Sequence, residues 1–418
     1  MLASSVGYAF EVQVITSAKG IKAWLVEAHD VPILSMNFSF AGGRIFEQAG
    51  KEGSLSLLTD MLVEGAGDMS SDAIKLAKIR MSSSFGFYNS ADFTSGYLNS
   101  LSKNRDATAK LLKLTFEKPG FEETAFERLR DQALQSEAQG RVDQWAIADD
   151  AWFAAAFPGH IYGRNSKGTQ ASLKALKTDD LRQLWVLLAN RRDLRVAVVG
   201  DITAAELSAL LDSVFGDLPD FTPAIAAATV ALAKGPVEVK IKYEGPQTVV
   251  YFGNPSLAKD GSEDWASNVL AEILGGRASF ARLTQALREK SGLTYGVSFS
   301  DYSWMHADVQ LGTFSTATET AEKAVAVLRE QLALMARDGP TAEELRKTKS
   351  FINGSYALRF SDNSSIASEL LAVLEQGNEV GYFRDRPAKV NAVTLAGVRD
   401  AAAKLLKPEN QVVVIVGK

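Results

Sequence analysis

The 418-residue chain contains no cysteine. That absence excludes disulfides, thiolate zinc centres and cysteine nucleophiles together. Histidine is nearly as scarce. His29, His160 and His306 are all there is, and no two have the spacing that puts two imidazoles on one helical face. No apolar run approaches the roughly 20 residues of a membrane span, so the chain reads as soluble, with no membrane partner. There is no basic block either: 45 Lys and Arg against 50 Asp and Glu give a net charge of −5, and a nucleic-acid partner is not expected. The first ten residues lack the basic and long apolar regions of a signal peptide. The expected compartment is the periplasm, with the cytoplasm as the alternative. No Gly-x-Ser-x-Gly elbow or Walker loop is present, and Gly275-Gly276-Arg277 is too short a match to claim phosphate.

What is present is a pattern that occurs twice. The length favours two to three domains. The run Leu194 to Gly200 is β-branched and ends in Gly, and so is Gln411 to Gly417. Before each lies an amphipathic stretch, Thr178 to Leu188 and Thr394 to Leu406, with leucine or valine at helical spacing. Strand-like Pro32 to Phe40 is matched by Gln247 to Phe252, and long helical stretches, Glu122 to Gly140 and Thr341 to Tyr356, follow at equivalent places. The Pro- and Ala-rich stretch between the halves reads as an extended linker. The expected organisation is residues 1–217, a linker over 218–236, and residues 237–418. The expected fold class is α+β: two similar domains, each an antiparallel-rich mixed sheet packed with helices on one face, related by internal duplication.

Residues 53 to 65 read Gly-Ser-Leu-Ser-Leu-Leu-Thr-Asp-Met-Leu-Val-Glu-Gly. Locally this is an ordinary buried helix, with Leu55, Leu58, Met61 and Leu62 on its apolar face. It also resembles the zinc helix of the insulinase/pitrilysin/mitochondrial processing peptidase family, Gly-Leu-x-His-x-x-Glu-His-Met-Leu-x-x-Gly. Ser56 stands at the first His, Thr59 at the Glu and Asp60 at the second His. In that motif the two imidazoles hold zinc and the Glu is base for the bound water. A serine hydroxyl is too weakly acidic to compete as a ligand, and one carboxylate is not a tetrahedral site. Glu137 sits close to the family's third ligand position, and it completes a degenerate set, Ser56, Thr59, Asp60 and Glu137, that is not expected to bind metal. The resemblance extends to Asn89 and Thr94, on what reads as one strand from Gly86 to Thr94, and to the turn over residues 157–164 around His160.

The second half keeps what the first has lost. Arg282-Leu-Thr-Gln-Ala-Leu-Arg-Glu-Lys-Ser-Gly-Leu-Thr-Tyr-Gly-Val297 is similar to the family's Arg-Leu-x-x-x-Leu-Arg-Glu-x-x-Gly-Leu-x-Tyr-x-Val signature, whose Arg and Tyr face the zinc from the opposite domain. Here they are Arg288 and Tyr295, with Tyr295 expected to begin a strand. A phenol and a guanidinium suit the carbonyl oxygen that develops charge during peptide hydrolysis. The structural alternative is that Arg288 caps the helix or pairs with a nearby Glu. The resemblance implies a subunit that binds no cofactor itself, forms a heterodimer with a homologous zinc-binding peptidase subunit, and supplies Arg288 and Tyr295 in trans. The peptide substrate would pair as an added strand on the partner's sheet edge. The alternative is a purely structural or binding scaffold with no catalytic contribution.

Overall fold

The computed structural model describes residues 10–221, 228–257 and 262–418. The chain forms two compact units that are not the contiguous halves expected from sequence. In the described chain, the first takes residues 10–137, 166–221 and 356–385, and the second takes 138–165, 228–257, 262–355 and 386–418. Within the expected linker, residues 222–227 lie outside the described residues. So do the opening residues up to Ala9. Beyond the gap the linker runs without helix or strand, and its Val230 and Ala233 amides donate to the carbonyls of His306 and Ala156, at 2.7 and 2.9 Å.

The first unit is built on strands β1 (Gln13–Thr16), β2 (Lys22–Glu27), β3 (Ile33–Ala41), β6 (Ser84–Asn89), β7 (Phe93–Leu101) and β8 (Leu194–Gly200). A separate small hairpin is made by β4 (Gly65–Ala66) and β5 (Met69–Ser70). The main sheet runs β1-β2-β8-β3-β7-β6. The second unit contains β9 (Val237–Lys242), β10 (Gln247–Pro255), β11 (Val297–Ser303), β12 (Asp308–Ala317) and β13 (Val412–Gly417), ordered β11-β12-β10-β13-β9. Read from the other end, the second sheet repeats β2-β8-β3-β7-β6 strand for strand. The senses agree as well: β2 with β8 and β9 with β13 are the parallel pairs, and all other neighbours are antiparallel. The duplication is therefore a property of the topology.

Why the β-branched runs are so apolar follows from their place. β8 and β13 are interior strands, and a strand covered on both faces loses the alternation of a half-exposed one. In the first unit one face of the sheet, through Leu34, Met36, Phe38 and Phe40 of β3, packs on the helices Ser54–Met61, Arg105–Glu117, Thr178–Leu188 and Ala204–Phe215. The other face is covered too. Trp24, Val26, Ala197 and Val199 meet Ala367, Leu370 and Leu371 of the helix Asn363–Glu375. Between them Asn37 Nδ2 donates to Ser368 Oγ at 2.9 Å.

In the second unit the equivalent cover is the helix Gln144–Ala156, which lies on β10 and β13. Trp152 is fully buried there and donates from Nε1 to the Val412 carbonyl at 3.2 Å, while Gln144 Nε2 donates to the Val416 and Gln247 carbonyls. Gly253 makes room for the indole: a Cβ at that position would sit 2.4 Å from Trp152 Cζ2. Each sheet thus has helices on both faces, and one of them comes from the other half of the sequence.

The segment expected as one strand from Gly86 to Thr94 is instead a hairpin. Ser90 turns the chain: its amide donates to the Phe93 carbonyl at 2.8 Å and its Oγ accepts from the Asp92 and Phe93 amides. Ser-Ala-Asp is turn chemistry inside an otherwise strand-like run. No helix among the described residues is long and apolar enough to cross a membrane.

Candidate functional site

The helix Ser54–Met61 starts at Gly53, whose φ of +91° is the left-handed region. A side chain there would also meet the Lys167 carbonyl, 2.7 Å from an added Cβ. The first turn of the helix contains no acidic residue. The missing charge comes from the preceding loop. The buried Glu47 carboxyl accepts from the Gly53 and Leu55 amides, at 3.0 and 2.9 Å, and from Ser54 Oγ at 3.3 Å. Free N–H groups and the positive end of the helix dipole make this a natural anion position. Burial nevertheless dominates and pushes the Glu47 pKa up to about 7, against the Leu55 amide, Arg44, the Gly53 amide and Ser54.

Leu55, Leu57, Leu58 and Met61 are buried, each contributing about 1.5–3 kcal/mol of burial. The face bearing Ser56 and Asp60, one helical turn apart, is left outward: Ser56 is half-buried and Asp60 exposed. Thr59 turns inward, only 4% exposed. Its hydroxyl donates to the Ser56 carbonyl at 2.9 Å and accepts from Asn89 Nδ2 at 3.2 Å. At the position where the resemblance places a catalytic base, this chain has a hydroxyl tied to its own helix and to β6. Thr94, the other strand residue carrying the resemblance, donates to the Gly42 carbonyl at 3.2 Å.

Asp60 reaches solvent, yet the surrounding protein mass desolvates its carboxyl and, with Glu64 nearby, raises its pKa. Glu64 is satisfied by a protein cation, an ion pair at 2.6 Å with Arg128 of the helix Glu123–Gly140. Glu137 lies half-buried near the end of that helix. Among the described residues, no group of three or more His, Cys, Asp or Glu could hold a metal ion. Zinc needs imidazole, thiolate or several carboxylates. Two hydroxyls, one of them committed to Ser56 and Asn89, and the carboxyls of Asp60 and Glu137 include no imidazole or thiolate and do not fit it.

The histidines are accounted for locally. His160 Nδ1 accepts from the Tyr162 amide at 3.2 Å and caps the short turn Ile161–Gly163. The fold brings the His160 and His306 rings within 6.3 Å, inside a cluster with Tyr162 and Trp304. His29 is held between Asp201 on Nδ1 and Glu27 on Nε2, at 2.9 and 3.2 Å, and these hydrogen bonds raise its pKa. Two carboxylates on opposite ring nitrogens cannot converge on one ion.

In the second unit the segment Thr284–Lys290 winds as a wide π-type turn over buried Leu283 and Leu287. Arg282 clamps it with a two-pronged bond to Glu344, at 2.8 and 2.7 Å. Arg288 has no such anchor. Its side chain is 55% exposed, and Glu289 lies 3.6 Å from its Nε. The turn stops at Gly292, φ +60°, whose amide donates to the Arg288 carbonyl while Leu293 donates to Leu287. Tyr295 does not begin a strand as expected. Thr294 Oγ1 donates to the Gly296 carbonyl and accepts from the Gly296 amide, making a tight loop before β11 starts at Val297. That loop leaves Tyr295 90% exposed. Sequence reasoning missed Glu47, Glu64 and Arg128. For Glu47 a signal was available, a zinc-like helix with no acid in its first turn.

A family model for the peptidase M16 inactive domain matches residues 175–351, a stretch that includes Arg288 and Tyr295 but not the helix Ser54–Met61. A non-peptidase homolog from Helicobacter pylori is 26% identical over 345 residues, covering 82% of this chain and 79% of that protein. An uncharacterised zinc protease of Mycobacterium leprae is 29% identical over 289 residues, 66% of this chain and 63% of its own length. Among solved structures, a peptidase M16 inactive domain from Pseudomonas fluorescens aligns with TM-score 0.90 at 24% identity, over 97% of this chain and 98% of that one. A chain of complex III2 from Candida albicans aligns with TM-score 0.79 at 14% identity, over 97% and 96%.

Proposed function

Since the chain belongs to the M16 peptidase family, as a member of its inactive type, we propose that it is the non-zinc-binding subunit of a heteromeric metallopeptidase, lending Arg288 and Tyr295 to a homologous partner's site. The observation that carries this is the contrast between its two motifs. At the zinc-helix position the donors are gone and Thr59 is bonded to Ser56 and Asn89, whereas among the described residues Arg288 has only the exposed Glu289 at 3.6 Å and Tyr295 is 90% exposed.

In the assembled pair a zinc ion held by the partner's two zinc-helix histidines would supply the activated water. The Tyr295 hydroxyl donates to the oxygen that gains charge as the peptide carbon becomes tetrahedral, and Arg288 donates to a neighbouring substrate carbonyl. The peptide itself pairs with the partner's sheet edge.

Purified alone and dialysed, the chain is expected to hold far less than one zinc per molecule by elemental analysis and to leave an unstructured peptide uncut. Mixed with a homologous chain that carries both zinc-helix histidines, it is expected to co-elute on size exclusion and to raise that chain's cleavage rate. One tightly held zinc per chain, or cleavage by the isolated protein that a mutation within it abolishes, overturns the reading.

A further inference from the structure

The segment Thr284–Lys290 winds as a π-type turn, and such windings are rare and concentrate at functional sites. A cavity lies beside it. Bounded by this turn, the helix Ala321–Asp338 and the start of the helix Ala342–Tyr356, the cavity is open to solvent and measures about 420 Å³. That is within the range of about 300–1,000 Å³ usual for small-molecule sites. All of its lining belongs to the second unit. Two of the lining side chains are apolar: Val327, and Phe280, whose ring is held edge-on by Phe351 at 6.1 Å between centres.

Four charged side chains line the cavity, and they are not equally employed. Arg282 and Glu344 neutralise each other through their two-pronged bond, and Arg282 Nη2 also donates to the Gly339 carbonyl at 3.3 Å. Glu344 is further satisfied by the Thr341 amide and hydroxyl, at 2.7 and 3.0 Å. Lys290 and Glu330 are the other two. Both are exposed, and among the described residues neither takes part in an ion pair, although they line the same cavity. Their own elements offer them nothing. At helical contact spacing from Glu330 stand only Ala326, Val327, Ala333 and Leu334, and the Glu289 beside Lys290 lies against Arg288. An ammonium on one wall and a carboxylate on another, too far apart to pair, suit a molecule that carries the opposite charge at each end.

We propose that this cavity binds a free amino acid with an apolar side chain, its carboxylate on Lys290, its ammonium on Glu330 and its side chain against Phe280 and Val327. Charge-assisted hydrogen bonds at both ends fix the direction of the ligand, and the apolar walls add burial. The terminal residue of a longer peptide carries only one of the two charges, so it satisfies one wall and leaves the other unpaired. The inference does not rest on the assignment of Arg288 and Tyr295. It needs neither a partner nor cleavage, and its failure leaves the proposed role of that pair standing.

The test is a ligand-observed NMR titration of the full chain with L-leucine, with N-acetyl-L-leucine, which lacks the ammonium, and with L-leucinamide, which lacks the carboxylate. Leucine is expected to bind saturably with a Kd of about 1 mM, and each blocked compound about tenfold more weakly, the scale of one charge-assisted hydrogen bond. Glu330→Gln should lose about tenfold for leucine and nothing for N-acetylleucine, whereas Lys290→Met should lose about tenfold for leucine and nothing for leucinamide. Both residues are exposed, so the variants should melt like the parent. Lys323→Met, the same charge change at an exposed position of the helix Ala321–Asp338 outside the cavity, is expected to bind like the parent. No saturable binding of leucine up to about 10 mM overturns the proposal. So does leucine binding that Lys290→Met or Glu330→Gln leaves unchanged, or that Lys323→Met weakens equally. N-acetylleucine or leucinamide binding as tightly as leucine overturns it too, in favour of a peptide's carboxyl or amino end as the occupant. Should Lys290→Met fail to fold, Lys290→Gln takes its place with the same expectations.

Discussion

Tyr295→Phe in the reconstituted pair is expected to lower kcat by about 10²- to 10³-fold, the usual loss when one preorganised donor to a developing oxyanion is removed. The substitution deletes a single hydroxyl from a side chain that is 90% exposed in this chain. Nothing in the second unit's packing depends on it, so the variant should fold and assemble like the parent. KM should move little, because the hydroxyl's strongest interaction exists only when charge has built up on the oxygen. Arg288→Ala is expected to lower kcat/KM as well, with part of the loss in KM, since a guanidinium holding a neighbouring carbonyl already acts in the ground state. Its one close charged neighbour, Glu289 at 3.6 Å, is an exposed pair of little structural worth. The measurement is peptide cleavage by the pair with each variant, with size exclusion reporting assembly. If both variants assemble and turn over like the parent, the two residues are inherited surface and the scaffold reading replaces the catalytic one.

Much of the fold was legible because it is written in local patterns. Leu194–Gly200 and Thr178–Leu188 fall where the β-branched run and the helical leucines place them, and the pairing of these patterns in two halves anticipated two similar sheets, though not their strand order. The cover of each sheet was not legible. Gln144–Ala156 and Asn363–Glu375 are apolar enough to pack on a sheet, but periodicity carries no address and both lie on the sheet built by the other half of the sequence. At the site, the positions of Ser56, Thr59 and Asp60 could be read from motif spacing. Their use could not: that Thr59 bonds Asn89 depends on where β6 lies, and that Glu64 bonds Arg128 depends on a helix some sixty residues on, which no spacing rule predicts. The turn that exposes Tyr295 was also hidden, because Leu-Thr-Tyr-Gly-Val reads as the start of a strand until the Thr294 hydroxyl is seen to close on Gly296.

Glu47 provides the second large expected effect, on stability. Its pKa rises from 4.5 in a solvated chain to about 7 in the folded one, with burial as the leading cause. Between those values the folded state holds a proton that the unfolded state has released, so stability falls as pH increases. The contribution is complete below about pH 4.5, is lost progressively through the window up to about 7, and does not change above it. A shift of this size corresponds to about 3 kcal/mol across the window. Glu47→Gln has no proton to lose, and its amide oxygen can still accept from the Gly53 and Leu55 amides that Glu47 serves. The expected result is that the parent loses about 3 kcal/mol more than the variant between pH 4.5 and 7.5. Urea unfolding of the two proteins at several pH values measures the difference, in which the raised carboxyls of Asp60 and Glu375 cancel because both proteins carry them. Parallel stability curves would mean that Glu47 titrates in the folded protein as it does in the unfolded one, the two amides and the dipole offsetting burial.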